Sequence, residues 1–136
     1  MMLLESLQKT YNYFVKYIET DLAKYKINGL SFSHYEIIRL VHKHKKLQLK
    51  EISNLILKHK STITALIEKL KKLNYIEVIK SKQDKRKSFV ILGPKGKEII
   101  GIIKTIEQKT DLVFQKSLTP KEQSNMFEQL NKITKK

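Results

Sequence analysis

Between Leu47 and Leu92 the hydrophobic period switches from helical to alternating, and that switch constrains the fold more than anything else in the chain. Leu49, Ile52, Leu55 and Ile56 fall at helical spacing, so Leu49–Ile56 reads as a short helix with one apolar face. After Lys58-His59-Lys60 a second helix is expected from Ser61 to Leu73. Its apolar residues Ile63, Leu66, Ile67 and Leu70 share one side, and Ser61, Thr62, Thr64, Glu68, Lys69 and Lys72 fall elsewhere. Asn74 tolerates the left-handed conformation that ends helices. Two β-rich runs, Tyr75–Ile79 and Lys87–Leu92, then flank a basic loop from Lys80 to Arg86. Helix, turn, helix and basic hairpin is a winged helix-turn-helix, an arrangement suited to reading double-stranded DNA.

Charge is concentrated on the same stretch. The 136-residue chain carries a formal net charge of +15. From Arg39 to Lys97 there are 17 Lys or Arg against four acids, whereas the rest of the chain holds 11 against nine. A cationic patch of this kind attracts a polyanion by releasing its counterions. The chain has no cysteine, which removes disulfides, thiolate catalysis and cysteine-based redox sensing. Glu5 follows Met1-Met2-Leu3-Leu4 at once, so no signal peptide is expected, and no apolar run reaches membrane-spanning length. A cytoplasmic protein without membrane contact is therefore expected. An enzyme is not: there is no cysteine nucleophile, phosphate-cradling glycine loop or convergent acid–base pair.

The flanks are helical. Leu4, Leu7, Tyr11, Phe14, Ile18, Leu22 and Tyr25 alternate at spacings of three and four, giving a long amphipathic helix that breaks at Asn28-Gly29. Ser33-His34-Tyr35-Glu36 reads as a capping box for a helix carrying Ile37, Ile38, Leu40 and Val41. Pro94 opens a helix whose isoleucines and Leu112, Val113 and Phe114 spread over more than one face, as if buried on two sides. Thr119-Pro120-Lys121-Glu122 is another capping box, before Met126, Phe127, Leu130 and Ile133. The fold expected is mainly α with a small β-wing: about six helices and a two- or three-stranded antiparallel hairpin. Residues 1–136 form a single domain, with 1–30 and 94–136 as a helical dimerisation region and 31–93 as the winged DNA-binding lobe. The amphipathic ends either pack on each other within one chain or form a homodimer interface, and the second is favoured because a two-fold reader needs two copies.

Short hydroxyls at Ser61, Thr62 and Thr64 would let the second helix sit deep in the major groove, with Thr64 reaching a base edge. Lys58, Lys60 and Lys69 join that DNA-contacting set. In the loop, Arg86 is suited to the minor groove, and Lys82, Lys85 and Lys87 to phosphates. Asp84 repels phosphate, so its presence there needs a reason; a turn aspartate bonding its own backbone is one. The histidines do not make a metal site, since His42 and His44 point different ways and His34 and His59 are remote, and no cofactor is expected.

Assembled in this order, the chain resembles the MarR family of transcriptional regulators over nearly its whole length. Asp84-Lys85-Arg86, running through Ser88–Leu92 into Gly93-Pro94-Lys95-Gly96, is similar to the family's D-x-R wing signature and the segment after it. Lys60-Ser61-Thr62-Ile63-Thr64 is similar to the opening of the family's recognition helix. The resemblance implies that Asp84 orients Arg86 by a charge-assisted hydrogen bond. It also implies a small aromatic effector between the dimerisation helices and the DNA-binding lobe, for which Phe14, Tyr17, Leu30, Phe32 and Tyr35 are the candidate lining, although aromatics at helical spacing also serve as core. Many members have arginine where Ala65 and Val78 stand and glycine where Asn74 stands, so the operator cannot be borrowed from relatives. The expected function is a sequence-specific DNA-binding regulator, a homodimeric repressor at a palindromic operator. The rivals are a sequence-tolerant architectural binder and a protein-interaction adaptor on the same fold.

Overall fold

Six helices and one hairpin follow each other in the computed structural model, which describes residues 1–135; Lys136, the last residue of the expected dimerisation region, lies outside them. The order is α1 (Met2–Lys24), α2 (Phe32–His44), α3 (Leu49–Ile56), α4 (Lys60–Lys72), β1 (Ile76–Lys80), β2 (Ser88–Leu92), α5 (Pro94–Ser117) and α6 (Pro120–Thr134). The strands pair antiparallel, with Ile76 opposite Leu92 and Lys80 opposite Ser88. Leu47 adds a single bridge to Val90, with hydrogen bonds in both directions at 3.1 and 2.7 Å, so the wing is two full strands with a one-residue third edge.

One hydrophobic core joins both expected regions. Ile18 and Leu22 of α1, Ile37, Ile38 and Val41 of α2, Ile52 of α3, Ile63, Ile67 and Leu70 of α4, Val90 of β2, and Ile99, Ile103 and Ile106 of α5 are all buried in it. The lobe therefore cannot move as if on a free linker: α5 packs under α2 and the hairpin and also along α1.

Two helix ends are closed alike. Asn74 takes φ +66°, with Tyr75 N–H donating to the Leu70 carbonyl at 2.9 Å and Asn74 N–H to that of Lys71 at 3.1 Å. At α1, Lys26 takes φ +61°, and Ile27 and Lys26 donate to Leu22 and Ala23. In both, the residue after the left-handed position is buried, as is the residue whose carbonyl accepts its N–H, which fits the Schellman arrangement. After Asn74 the chain passes close under α5. Gly93 N–H donates to the Tyr75 carbonyl at 2.9 Å, and a Cβ on Gly96 would collide with that same carbonyl.

Several local expectations need correction. The cap of α2 is Ser31, not Ser33: His34, not Glu36, reaches back, its Nδ1 accepting from the Ser31 amide at 3.0 Å. Phe32 N–H donates to Glu19 Oε2 at 2.8 Å, so a carboxylate of α1 also holds this helix start. The α4 helix begins at Lys60 with His59 as its N-cap residue, one position before the expected Ser61. Leu55 lies off the buried face of α3, about half exposed. The α5 helix buries one broad face, through Gly96, Ile99, Ile103 and Ile106, rather than two sides, and its Leu112 is exposed. The Thr119 box is formed as read, with Glu122 N–H donating to Thr119 Oγ1 at 3.2 Å and Glu122 Oε1 accepting from Thr119 N–H at 2.9 Å.

Candidate nucleic-acid interface

Ile63, Ile67 and Leu70 clamp α4 onto the core, which leaves Lys60, Ser61, Thr62, Thr64 and Ala65 on the open side. No side chain caps the start of α4, so the amides of its first turn remain available to an external acceptor such as a phosphate. Ser61 and Thr62 stand in that first turn rather than before it. Thr64 Oγ1 donates to the Lys60 carbonyl at 2.8 Å, so its free capacity outward is as an acceptor.

The turn before α4 is braced. Ser53 Oγ donates to the Lys58 carbonyl at 2.6 Å, Lys58 N–H donates to the Ser53 carbonyl at 3.3 Å, and Leu57 between them takes φ +52°. Lys58 is consequently half-buried, while Lys60 is exposed. Lys69 has its ammonium on the Gly29 carbonyl, tying α4 to the α1–α2 turn. Its sequence position placed it with the DNA-facing residues; its side chain has a partner on the other side.

At the wing tip the two readings of Asp84 coexist. Asp84 Oδ1 accepts from the Arg86 amide at 3.0 Å and from Arg86 Nε at 3.2 Å, while Oδ2 lies 3.5 Å from a terminal guanidinium nitrogen. It is both a turn aspartate and an orienter of the arginine. Ser81 Oγ accepts from the Gln83 and Asp84 amides at 3.2 and 3.3 Å, and Lys87 N–H donates to the Asp84 carbonyl at 3.0 Å, which closes the loop. The Arg86 amide and guanidinium hold the Asp84 carboxyl below the usual carboxylate range. Arg86 itself is 92% exposed, so its free edge faces outward. Lys82, Lys85 and Lys87 are exposed around it. Sequence reading missed Lys46, whose ammonium rests 4.7 Å from the centre of the Phe89 ring and borders the wing base with Lys80 and Lys82.

The expected effector lining divides. Phe14, Phe32 and Tyr35 share a cavity of about 240 Å³ between α1, α2 and α5. Tyr17 lines a separate groove along α1 with Tyr13 and Lys16, and Leu30 is buried in the core, so neither belongs to it. Glu36, Arg39, Glu107 and Asp111 form the charged part of the wall, and no sequence spacing announced them there. Burial, then the Glu107 carboxylate, pushes the Tyr35 hydroxyl up to about 12, and burial raises Glu36. Behind the cavity, Lys109 of α5 pairs with buried Asp21 of α1 at 3.2 Å. Among the described residues no cluster of His, Asp or Glu suits a metal ion, and no helix is long and apolar enough to cross a membrane.

A family model described as the MarR family matches residues 28–87, which run from the α1–α2 turn to the end of the wing loop. The chain is 30% identical over 108 residues to the HTH-type transcriptional regulator SarZ of Staphylococcus epidermidis, covering 79% of this chain and 72% of that one. Its fold is similar to that of a mutant MarR from E. coli complexed with operator DNA, with a TM-score of 0.86 at 15% identity over 98% of this chain and 94% of that one. It is also similar to BpsR of Bordetella bronchiseptica, whose DNA binding is regulated by 6-hydroxynicotinic acid, with a TM-score of 0.81 at 17% identity over 97% and 92%.

Proposed function

The chain belongs to the MarR family of DNA-binding transcriptional regulators, and from that premise we propose that it acts as a homodimeric repressor at a palindromic operator. The observation that carries this reading is the wing tip, an arginine pre-oriented by Asp84 and 92% exposed, on the same lobe as an uncapped helix start with short hydroxyl side chains. In the bound state the first turn of α4 lies in a major groove. Lys60, Ser61 and Thr62 hold phosphates there, and Thr64 accepts from a base edge. Arg86 enters the adjacent minor groove, where a narrow A/T-rich stretch concentrates negative potential. Lys58, Lys82, Lys85 and Lys87 neutralise phosphates, and Lys69 positions α4 through Gly29 rather than contacting DNA.

Two copies are needed because one α4 and one wing read one half-site. The ends supply the surface. Leu3, Leu4, Leu7 and Tyr11 of α1, Leu112 of α5, and Phe127 and Ile133 of α6 are exposed, and α6 buries no residue at all. Fully covering a side chain of this size stabilises by about 1.5–3 kcal/mol, so a seam of them favours association. Residues 1–30 and 94–136 are accordingly the dimerisation region and 31–93 the reading lobe, and the half-sites lie roughly 34–36 Å apart. A DNA reader of this kind works in the cytoplasm, where it meets its operator. An effector in the cavity between α1, α2 and α5 relieves repression by shifting α2 and α5, on which α4 and the hairpin rest.

The test is a titration of duplexes carrying inverted repeats from the DNA around the gene's own promoter, at fixed salt. The proposal expects two chains per duplex and an affinity about a thousandfold or more above that for random DNA. A small ratio of specific to random affinity supports an architectural binder instead, and no retention at physiological salt supports an adaptor.

A further inference from the structure

Building on the reading of the cavity between α1, α2 and α5 as an effector site, we infer that its ligand class is a small aromatic cation, such as a benzyl-ammonium, rather than an aromatic acid. The lining is the argument. In a chain with 28 basic and 13 acidic residues, three acids, Glu36, Glu107 and Asp111, converge on this wall against one cation, Arg39. None of the three is in an ion pair among the described residues, and on their other side Glu107 and Asp111 border a groove with Arg39, Lys43 and Lys104. Acids left unpaired in so basic a molecule, at the edge of an apolar cavity, present a negative potential that a bound cation would neutralise.

The rest of the wall suits the other half of such a ligand. Phe32 meets Tyr11 edge-on at 5.8 Å between ring centres and lies nearly parallel to Tyr35 at 6.0 Å. Phe14 adds a further ring to the wall. Aromatic faces attract an alkylammonium through their quadrupoles, and attract it more strongly where water is excluded. Tyr35, 3% exposed, contributes its ring to the same wall. The negative field is also felt by the phenols: after burial, Glu36 raises Tyr11 and Glu107 raises Tyr35. At about 240 Å³ the space is slightly below the roughly 300–1,000 Å³ of ordinary ligand pockets, which restricts the occupant to a single ring with a short arm.

Calorimetric titration of the full chain with benzyltrimethylammonium and, separately, with benzoate tests this. The inference expects the cation to bind at least tenfold more tightly than benzoate. It also expects the double variant Glu107→Gln, Asp111→Asn to lose at least tenfold in cation affinity, with an unchanged circular dichroism spectrum and unchanged operator binding in the absence of ligand. Tighter binding of benzoate would overturn the cation and leave the effector site standing, with Arg39 as its anchor. Binding of neither at millimolar concentration would overturn both, and an unaltered cation affinity in the double variant would overturn the role of the acids.

Discussion

Arg86 projects from a loop whose turn is closed by the Ser81 and Asp84 side chains, and its partner Asp84 sets both its backbone and its guanidinium. Replacing Arg86 by Ala should weaken operator binding by about 1–3 kcal/mol in a fluorescence anisotropy titration at fixed salt. Asp84→Asn should weaken it less, since the arginine survives but is no longer held. Because the Asp84 carboxyl is held below its ordinary value, the pairing is intact above about pH 4 and fails only as the pH falls through the lower folded-state value. The wing should therefore add no step to operator affinity between pH 5 and 8. Lys85→Ala should reduce specific and random binding alike and flatten the salt dependence by about one unit. The turn role of Asp84 was legible in its own residue type, and its pairing with Arg86 through the family resemblance. The cavity was not: Tyr17 shares the spacing of Phe14 but lies in another groove, and Glu107 and Asp111 arrive from α5, far away in sequence.

Helix positions and the two strand runs followed from periodicity, whereas helix ends followed it only where side-chain chemistry announces them. Thr119 and Asn74 are such residues. Lys45 and Leu57, with φ +72° and +52°, are not, because the core on either side dictates the chain direction and overrides their preference. The Ser31 cap was displaced by two residues because Ser33-x-x-Glu36 fits the same pattern, and only the packing of α2 on α1 chooses between them. The His34 that completes this cap is buried and near Lys69, both of which hold its imidazole below the ordinary histidine value. The unfolded chain then binds a proton that the folded one refuses, so stability should fall as the pH drops below about 6.5. Chemical denaturation at pH 7.5 and 5.5 should show this loss, and His34→Gln should shrink it. At the start of α5, Gly96→Ala places a methyl against the Tyr75 backbone carbonyl, which cannot rotate away. The expected cost is about 1–3 kcal/mol, read as a melting temperature lower by several degrees.

Across the whole molecule, cations gather from α2 to the wing, while most uncovered apolar side chains lie at the two ends of the chain, with Leu55, Leu57, Leu73, Val78 and Ile79 of the lobe as exceptions. That distribution was legible in the sequence as two amphipathic flanks around a basic centre, while the choice between self-packing and dimerisation was not, since both bury the same stripe. In the single chain α6 stays unburied, which favours a second copy as its partner. Leu7→Asp with Phe127→Asp should leave the core intact, because neither side chain belongs to it, yet abolish operator binding by splitting the proposed dimer. The most direct measurement is sedimentation velocity of the chain at micromolar concentration, alone and with an inverted-repeat duplex. The account predicts a species of twice the chain mass alone and two chains on one duplex; a single-chain species that leaves the duplex free would contradict it.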